Sequence, residues 1–414
     1  MTLRVLMFGW EFPPYVSGGL GVACEGLVRG LLELETEVAL VLPRRSPPAS
    51  LPNLTLLSSA DGGDPALPRP RGRRLRVGRI ASPLRPYITE LLYAQERRQA
   101  ERLGANFTGN YGPNLHREVL RYAGTAARIA ARERFDVIHA HDWLTFLAGL
   151  EARRVSRKPL VLHVHATEFD RTGKGENGFV TAIERLGLAE ADRVVAVSTY
   201  TAELVAREYG VDAGRLRVVH NAIDAKETVG PWTVEEGDPL VLFAGRVTWQ
   251  KGPAYFVEAA ARVAAERPDV KFVVAGSGDR LAAMMEQAAG LGLKERFLFT
   301  GFLPPTELDR LYARADVYVM PSVSEPFGLT ALEALQQGTP VIISKSAGVS
   351  EVIRNVLRVE FGDVDDLASK ILSVLAFAPL RETLSARGRA EVRRLSWREA
   401  ASQCLAVYRE LVAE

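Results

Sequence analysis

Cysteine is almost missing from this chain. Cys24 and Cys404 are the two among 414 residues, so a disulfide framework is excluded and a reducing, cytoplasmic setting is expected. Charge of one sign is missing too: a formal net charge of +2 gives no bulk attraction to nucleic acid, and no nucleic-acid partner is expected. No apolar run approaches the roughly 18 residues that a membrane span needs. The stretch from Val5 to Trp10 is short for a secretion-signal core, and Glu11 follows at once. Membrane contact is therefore expected to be peripheral at most. No G-x-x-x-x-G-K-[ST] run occurs, which excludes a P-loop.

What is present is the composition of a soluble globular protein, 47% hydrophobic and 25% charged. At about 150 residues per domain, the length suggests two or three domains. Strand-like runs at 4–9, 37–42, 137–140, 160–165, 193–197 and 216–219 alternate with helix-like runs at 18–33, 120–132, 144–154, 180–189 and 200–209. The pattern lapses into turn and charged residues near 222–238. It then restarts with strands at 240–244, 271–275, 297–300, 317–320 and 341–343, and helices at 253–266, 281–291, 305–313 and 329–337. Short, β-branched strands of this kind are covered on both faces, and βα alternation implies parallel sheets with right-handed crossovers. The expected fold is α/β, two doubly wound Rossmann-like domains facing across a cleft. We place the N-terminal domain at 1–221, a hinge at 222–238, the second domain at 239–395, and a last helix at 396–414 lying across both. Residues 47–79, rich in Pro, Gly and Arg (Arg69, Arg71, Arg73, Arg74, Arg76, Arg79), read as a loop outside this rhythm.

The most informative segment is Glu325-Pro326-Phe327-Gly328-Leu329-Thr330-Ala331-Leu332-Glu333. It joins a strand-like run to a helix-like run, so its turn offers backbone N–H groups at the positive end of a helix dipole, a seat for phosphate. Glu333 lies further along that helix, within reach of a group beside the phosphate such as a ribose. An isolated Glu pair would read as a helix cap and a surface residue; the companions change that. Arg246 and Lys251 lie in another strand-to-helix loop, where two cations suit a diphosphate. Gly18-Gly19-Leu20-Gly21 opens the first helix, and glycines let backbone approach an anion. Five of the six histidines fall at strand ends: His139, His141, His163, His165 and His220. By the two-residue period of a strand, His139 shares a face with His141, and His163 with His165. Paired histidines beside Asp142 raise a metal site as a rival, but no convergent Cys or further carboxylate accompanies them, and no metal is expected.

These segments, with His139-Ala140-His141-Asp142-Trp143, resemble in order and spacing the retaining glycosyltransferases of the GT-B fold. That group contains glycogen and starch synthases, sucrose synthases and many bacterial glycan transferases. The resemblance implies that Gly18 and Gly19 approach the donor phosphates and that His165 contacts the donor sugar. It implies that Arg246 and Lys251 hold the diphosphate and that Glu325 lies by the sugar hydroxyls. Gly328, Leu329 and Thr330 would then bind phosphate through their backbone, Glu333 would bind ribose, and Asp142 would stand on the acceptor side. It implies no cofactor: the nucleotide sugar, UDP- or ADP-glucose, is the substrate, and a glucan or oligosaccharide is the acceptor.

Two departures separate the chain from plain bacterial ADP-glucose glycogen synthases. Those carry Lys where this chain has Val16, and they lack the second Glu that Glu333 supplies. The polar stretch 167–178 reads as a loop that could close over an acceptor. Transfer of another hexose to a lipid-linked or surface glycan is an alternative within the class. From other classes, a nucleotide-sugar epimerase or a metal-dependent hydrolase using the histidine pairs remains open.

Overall fold

A computed structural model gives the architecture. It describes residues 2–12, 18–43, 115–226, 228–230 and 237–413, and the backbone alone of 54–56 and 75–79. Val16 and residues 69–74 of the arginine-rich stretch lie outside the described residues.

The first sheet is built from β1 (Arg4–Phe8), β2 (Glu37–Leu42), β3 (Leu54–Leu56), β4 (Leu75–Arg79), β5 (Val137–His141), β6 (Leu160–Val164), β7 (Arg193–Ala196) and β8 (Leu216–Val218). Between and around these strands run α1 (Gly19–Glu33), α2 (Leu115–Ala130), α3 (Trp143–Ser156), α4 (Glu168–Thr172), α5 (Gly178–Glu190) and α6 (Thr199–Tyr209). The strand order is β3-β4-β2-β1-β5-β6-β7-β8, and the pairings are parallel. Strands β3 and β4 correct the reading of 47–79 as loop. Both alternate large apolar with polar or small residues, the period of a strand, within a segment whose Pro and Gly content hid them.

The second sheet contains β9 (Leu240–Ala244), β10 (Lys271–Ala275), β11 (Phe297–Gly301), β12 (Val317–Met320), β13 (Val341–Ser344) and β14 (Leu357–Val359), in the order β11-β10-β9-β12-β13-β14. Its helices are α7 (Pro253–Glu266), α8 (Leu281–Gly290), α9 (Pro305–Arg314), α10 (Leu329–Gln337), α11 (Val364–Ala376) and α12 (Ala378–Val392). The chain ends in α13 (Trp397–Ala413).

Strand periodicity divides each sheet's apolar residues between two cores. In the first sheet Leu6, Phe8, Ile138 and Leu162 face one cluster, while Val5, Met7, Val137 and Val161 face the other. Each fully buried aliphatic side chain contributes about 1.5–3 kcal/mol, which is why both faces must be covered by helices. Helix α13 supplies one cover: Trp397, Ala401, Cys404 and Tyr408 join the cluster beneath α1. Gly26 permits this approach, since a Cβ there would stand 2.1 Å from the Trp397 ring. Leu395, just before α13, touches both that cluster and one of the second sheet. The chain thus crosses back to the first sheet before its last helix forms.

Candidate functional site

The turn between β12 and α10 is held from several sides. Glu325 bridges to Ala347, Gly348 N donates to Glu325 O at 2.9 Å, and Val349 N donates to Phe327 O at 2.7 Å. Phe327 is buried beneath it. Gly328 caps α10 with φ +112°, a backbone region that side-chain-bearing residues rarely enter. The first amides of α10, those of Leu329 and Thr330, therefore end the turn with no preceding helical carbonyl to bond.

Two predicted donor-site groups, Glu325 and Lys251, meet at this turn. The Glu325 carboxylate is buried and forms an ion pair with Lys251 Nζ, and Ser322 Oγ donates to it at 3.2 Å. Lys251 comes from the 3-10 turn Trp249–Lys251 that follows β9, and this turn is tied to the β12 side because Val323 N donates to Gln250 O at 2.9 Å. Arg246 stands earlier in the same loop, half-buried, with its carbonyl accepting from Thr248 N at 3.0 Å. Glu333 sits one helical turn beyond Leu329, half-buried, with Tyr312 Oη donating to it at 3.3 Å. Burial pushes its carboxyl above the usual range, opposed by Lys226.

The first domain delivers the opposing wall. Gly18, with extended backbone, caps α1, and a Cβ on Gly19 would lie 3.5 Å from Leu329 Cδ1. The N-termini of α1 and α10, one from each sheet, therefore meet, and both dipoles favour an anion at that place.

His165 and Asp142 form a second group on the first domain. Asp142 caps α3 at φ +56°. Its Oδ1 accepts from His165 N at 2.7 Å and from Ala166 N at 3.3 Å. The Asp142 carboxylate is thus 5% exposed and holds the backbone of His165. Burial lowers the His165 pKa, partly opposed by Asp142. The two histidine pairs share one face as their spacing required. His139 Nε2 lies 3.2 Å from His163 Nδ1, and His141 Nδ1 lies 2.9 Å from His165 Nε2. His139, His141 and His163 each offer a ring nitrogen within 4.8 Å of the others. No carboxylate joins this group among the described residues; the ring-nitrogen partners are each other, His165 and Tyr408.

Within 167–178 a short helix with its caps spans 167–173, and a brief loop then leads to α5. Thr167 and Asp170 form a reciprocal capping box around α4, and Asn177 caps α5. The Thr-x-x-Asp spacing carries that signal where a Gly-rich polar composition suggested a loop. Arg171 of α4 lies among Glu184, Glu168 and Asp142 at 3.3, 3.7 and 3.9 Å. Helix α4 also docks across the cleft: Ser324 Oγ donates to buried Asp170 at 2.6 Å, and Gly173 packs beneath the Trp249 ring. Sequence reasoning missed Asp170, Ser198, Tyr200, Ser324 and Glu351, which join the domains. Their partners lie more than 100 residues away, so local pattern gave no sign of them.

Two parallel sheets, each covered by helices, with the N-termini of α1 and α10 meeting between them, have the two-domain GT-B architecture. The Glycosyl transferases group 1 family matches residues 224–391, and Glycosyltransferase Family 4 matches residues 91–227. An uncharacterized glycosyltransferase of Methanocaldococcus jannaschii is 28% identical over 98% of both chains. The glycogen synthase of Mycobacterium tuberculosis is 29% identical over 90% of this chain and 86% of that one. The alpha-maltose-1-phosphate synthase of Mycolicibacterium smegmatis is 33% identical over 67% of this chain and 79% of that one. Among solved structures, sucrose-phosphate synthase from Thermosynechococcus elongatus superposes with a TM-score of 0.74 at 22% identity, covering 99% of each chain. The chain belongs to the group 1 glycosyltransferases. Among the described residues no helix is long and apolar enough to cross a membrane.

Proposed function

We propose that the protein is a retaining, metal-independent hexosyltransferase that moves glucose from a nucleoside-diphosphate glucose, UDP- or ADP-linked, to an α-glucan or related oligosaccharide in the cytoplasm. The observation that carries this reading is the meeting of the α1 and α10 N-termini beside the Lys251–Glu325 ion pair. A diphosphate seated there meets two helix dipoles and the cations of Arg246 and Lys251, which stabilise the charge that grows as the leaving group departs. Glu333 takes the ribose, and Glu325 and His165 take the sugar hydroxyls. The bond from the anomeric carbon to the β-phosphate oxygen breaks as the acceptor oxygen bonds to the same face. The acceptor's proton passes to the departing phosphate oxygen. A glycogen synthase and an alpha-maltose-1-phosphate synthase among the relatives support glucose as the sugar and an α-glucosidic product.

The test is incubation of the purified protein with UDP- and ADP-sugars and a maltooligosaccharide, with products read by mass. A ladder of hexose additions is expected. Nucleotide release without elongation would keep the transferase and overturn the glucan acceptor.

A further inference from the structure

We infer that His141 is a positioning residue that fixes the tautomer of His165, so that the proton of His165 sits on Nδ1 and its Nε2 serves only as an acceptor. The inference rests on the reading above that His165 touches the donor sugar.

Two buried histidine ring nitrogens, His141 Nε2 and His163 Nε2, have no hydrogen-bond partner among the described residues. A neutral imidazole has one N–H and one lone pair, and burial holds all four rings below the usual histidine range, so each is neutral near pH 7. A buried N–H without an acceptor is rarer and more costly than an under-used lone pair. The proton of His141 therefore belongs on Nδ1, the nitrogen with a partner, and it is donated to His165 Nε2 at 2.9 Å. That nitrogen must then be bare, and the His165 proton goes to Nδ1.

The other pair obeys the same rule. His163 Nδ1–H donates to His139 Nε2 at 3.2 Å, which leaves His139 Nδ1–H to donate to Tyr408 Oη. Tyr408 accepts through its hydroxyl oxygen. One chain of protons thus runs inward to α13, and the other runs outward to His165. The stacked rings, 4.4 Å apart for His139 and His141 and 4.3 Å for His163 and His165, hold both chains in register. Asp142 fixes the backbone of His165 from the other side.

The consequence is chemical. His165 is offered as a neutral Nδ1–H donor, able to bind a sugar hydroxyl without placing an imidazolium beside a developing oxocarbenium ion. The lone pair of its Nε2 is occupied, so the ring has no free site at which to take a proton.

The tautomer is read directly from long-range ¹H–¹⁵N spectra of the full chain labelled at histidine, with signals assigned by single substitutions. We expect His165 to show a protonated Nδ1 and a bare Nε2. In His141→Leu that pattern should be lost and kcat should fall about tenfold, with donor KM changed by less than about twofold. His141→Asn, whose amide N–H can stand where Nδ1–H stood, should restore both. A protonated Nε2 on His165 in the unaltered protein would overturn the proposal, as would an unchanged His165 pattern and turnover in His141→Leu. Should His141→Leu fail to fold, the unaltered protein and His141→Asn still decide it. If the spectra agree but no nucleotide sugar is consumed, the transferase reading fails and the tautomer stands.

Discussion

Ser198 Oγ, at the start of α6 in the first domain, donates 2.6 Å to the carbonyl of Pro326 in the turn that carries Glu325. Both ends of this bond are buried. Around it, Tyr200 Oη lies 2.9 Å from Ser324 Oγ, and the Glu351 carboxylate accepts from Thr199 N at 2.8 Å and Tyr200 N at 3.0 Å while meeting His220 Nε2 at 2.7 Å. The turn between β12 and α10 is thus registered against the first sheet by groups outside the proposed donor site. The proposed donor seat then depends on this contact between the domains.

Ser198→Ala tests that dependence. It leaves the Pro326 carbonyl with only the Thr201 hydroxyl at 3.4 Å. A loss of about 1–2 kcal/mol is expected, the cost of stranding a buried acceptor. Urea unfolding should show a lower midpoint, and donor KM should rise because the turn is held less firmly. An unchanged midpoint and an unchanged KM would mean that the bond does not hold the turn.

Lys251→Ala and Glu325→Ala address the ion pair. Each removes a group that the proposed function assigns to the donor and leaves its partner buried without compensation. Transfer should fall by at least about 10²-fold in each, comparable to losing a preorganised electrostatic contact. Stability should also drop, by up to about 3–5 kcal/mol for a buried pair broken from one side. Lys251→Met combined with Glu325→Gln should recover most of the stability and none of the transfer. Turnover near normal in either single variant would remove the pair from the site.

Gly328→Ala should separate donor binding from folding. At φ +112° a Cβ is strained, and it would lie 2.8 Å from Met320 Cε and 3.4 Å from Glu325 Cγ. The backbone cost is about 1–2 kcal/mol. A larger effect is expected on nucleotide-sugar affinity, because the amides of Leu329 and Thr330 shift with the cap. Calorimetric titration with UDP-glucose and ADP-glucose would show it, and unchanged affinity with lowered stability would refute a phosphate role for this turn.

The sheets were legible because buried parallel strands are short apolar runs, and Val317–Met320 or Leu240–Ala244 can hardly be read otherwise. Strand Leu357–Val359 escaped because three residues give too little period to detect, and helices Val364–Ala376 and Ala378–Val392 were passed over. Of the site, what sequence revealed was the set of groups at strand-to-helix turns, where topology alone places ligands. The engagement of Asp142 with the His165 backbone was hidden, since a carboxylate that caps two amides and one that faces a cleft read alike in sequence. The bond of His139 to Tyr408 spans 269 residues, and the packing of α13 over the first sheet brings those side chains together.

His139→Asn should flatten the acid side of the stability curve. Burial lowers the His139 pKa from 6.5 to about 3. Between those values the unfolded chain binds a proton at this residue and the folded chain does not, so stability is full above pH 6.5 and falls as the pH drops. One such proton gives a slope of about 1.4 kcal/mol per pH unit. An asparagine amide can still donate to Tyr408 but takes up no proton in either state. Glu184, pushed up to about 7 by burial, acts in the opposite sense, since the folded chain holds its proton and stability falls as pH rises from 4.5 to about 7. It is unchanged by the substitution and cancels in the difference, as do His141, His163 and His165 so long as they stay neutral when folded. Urea unfolding from about pH 7 to about pH 5 should therefore give two curves that converge on acidification, the variant losing about 1.4 kcal/mol less per unit below about pH 6. Parallel curves would show that His139 is protonated in the folded protein, and the inward chain of hydrogen bonds to α13 would then have to be assigned anew.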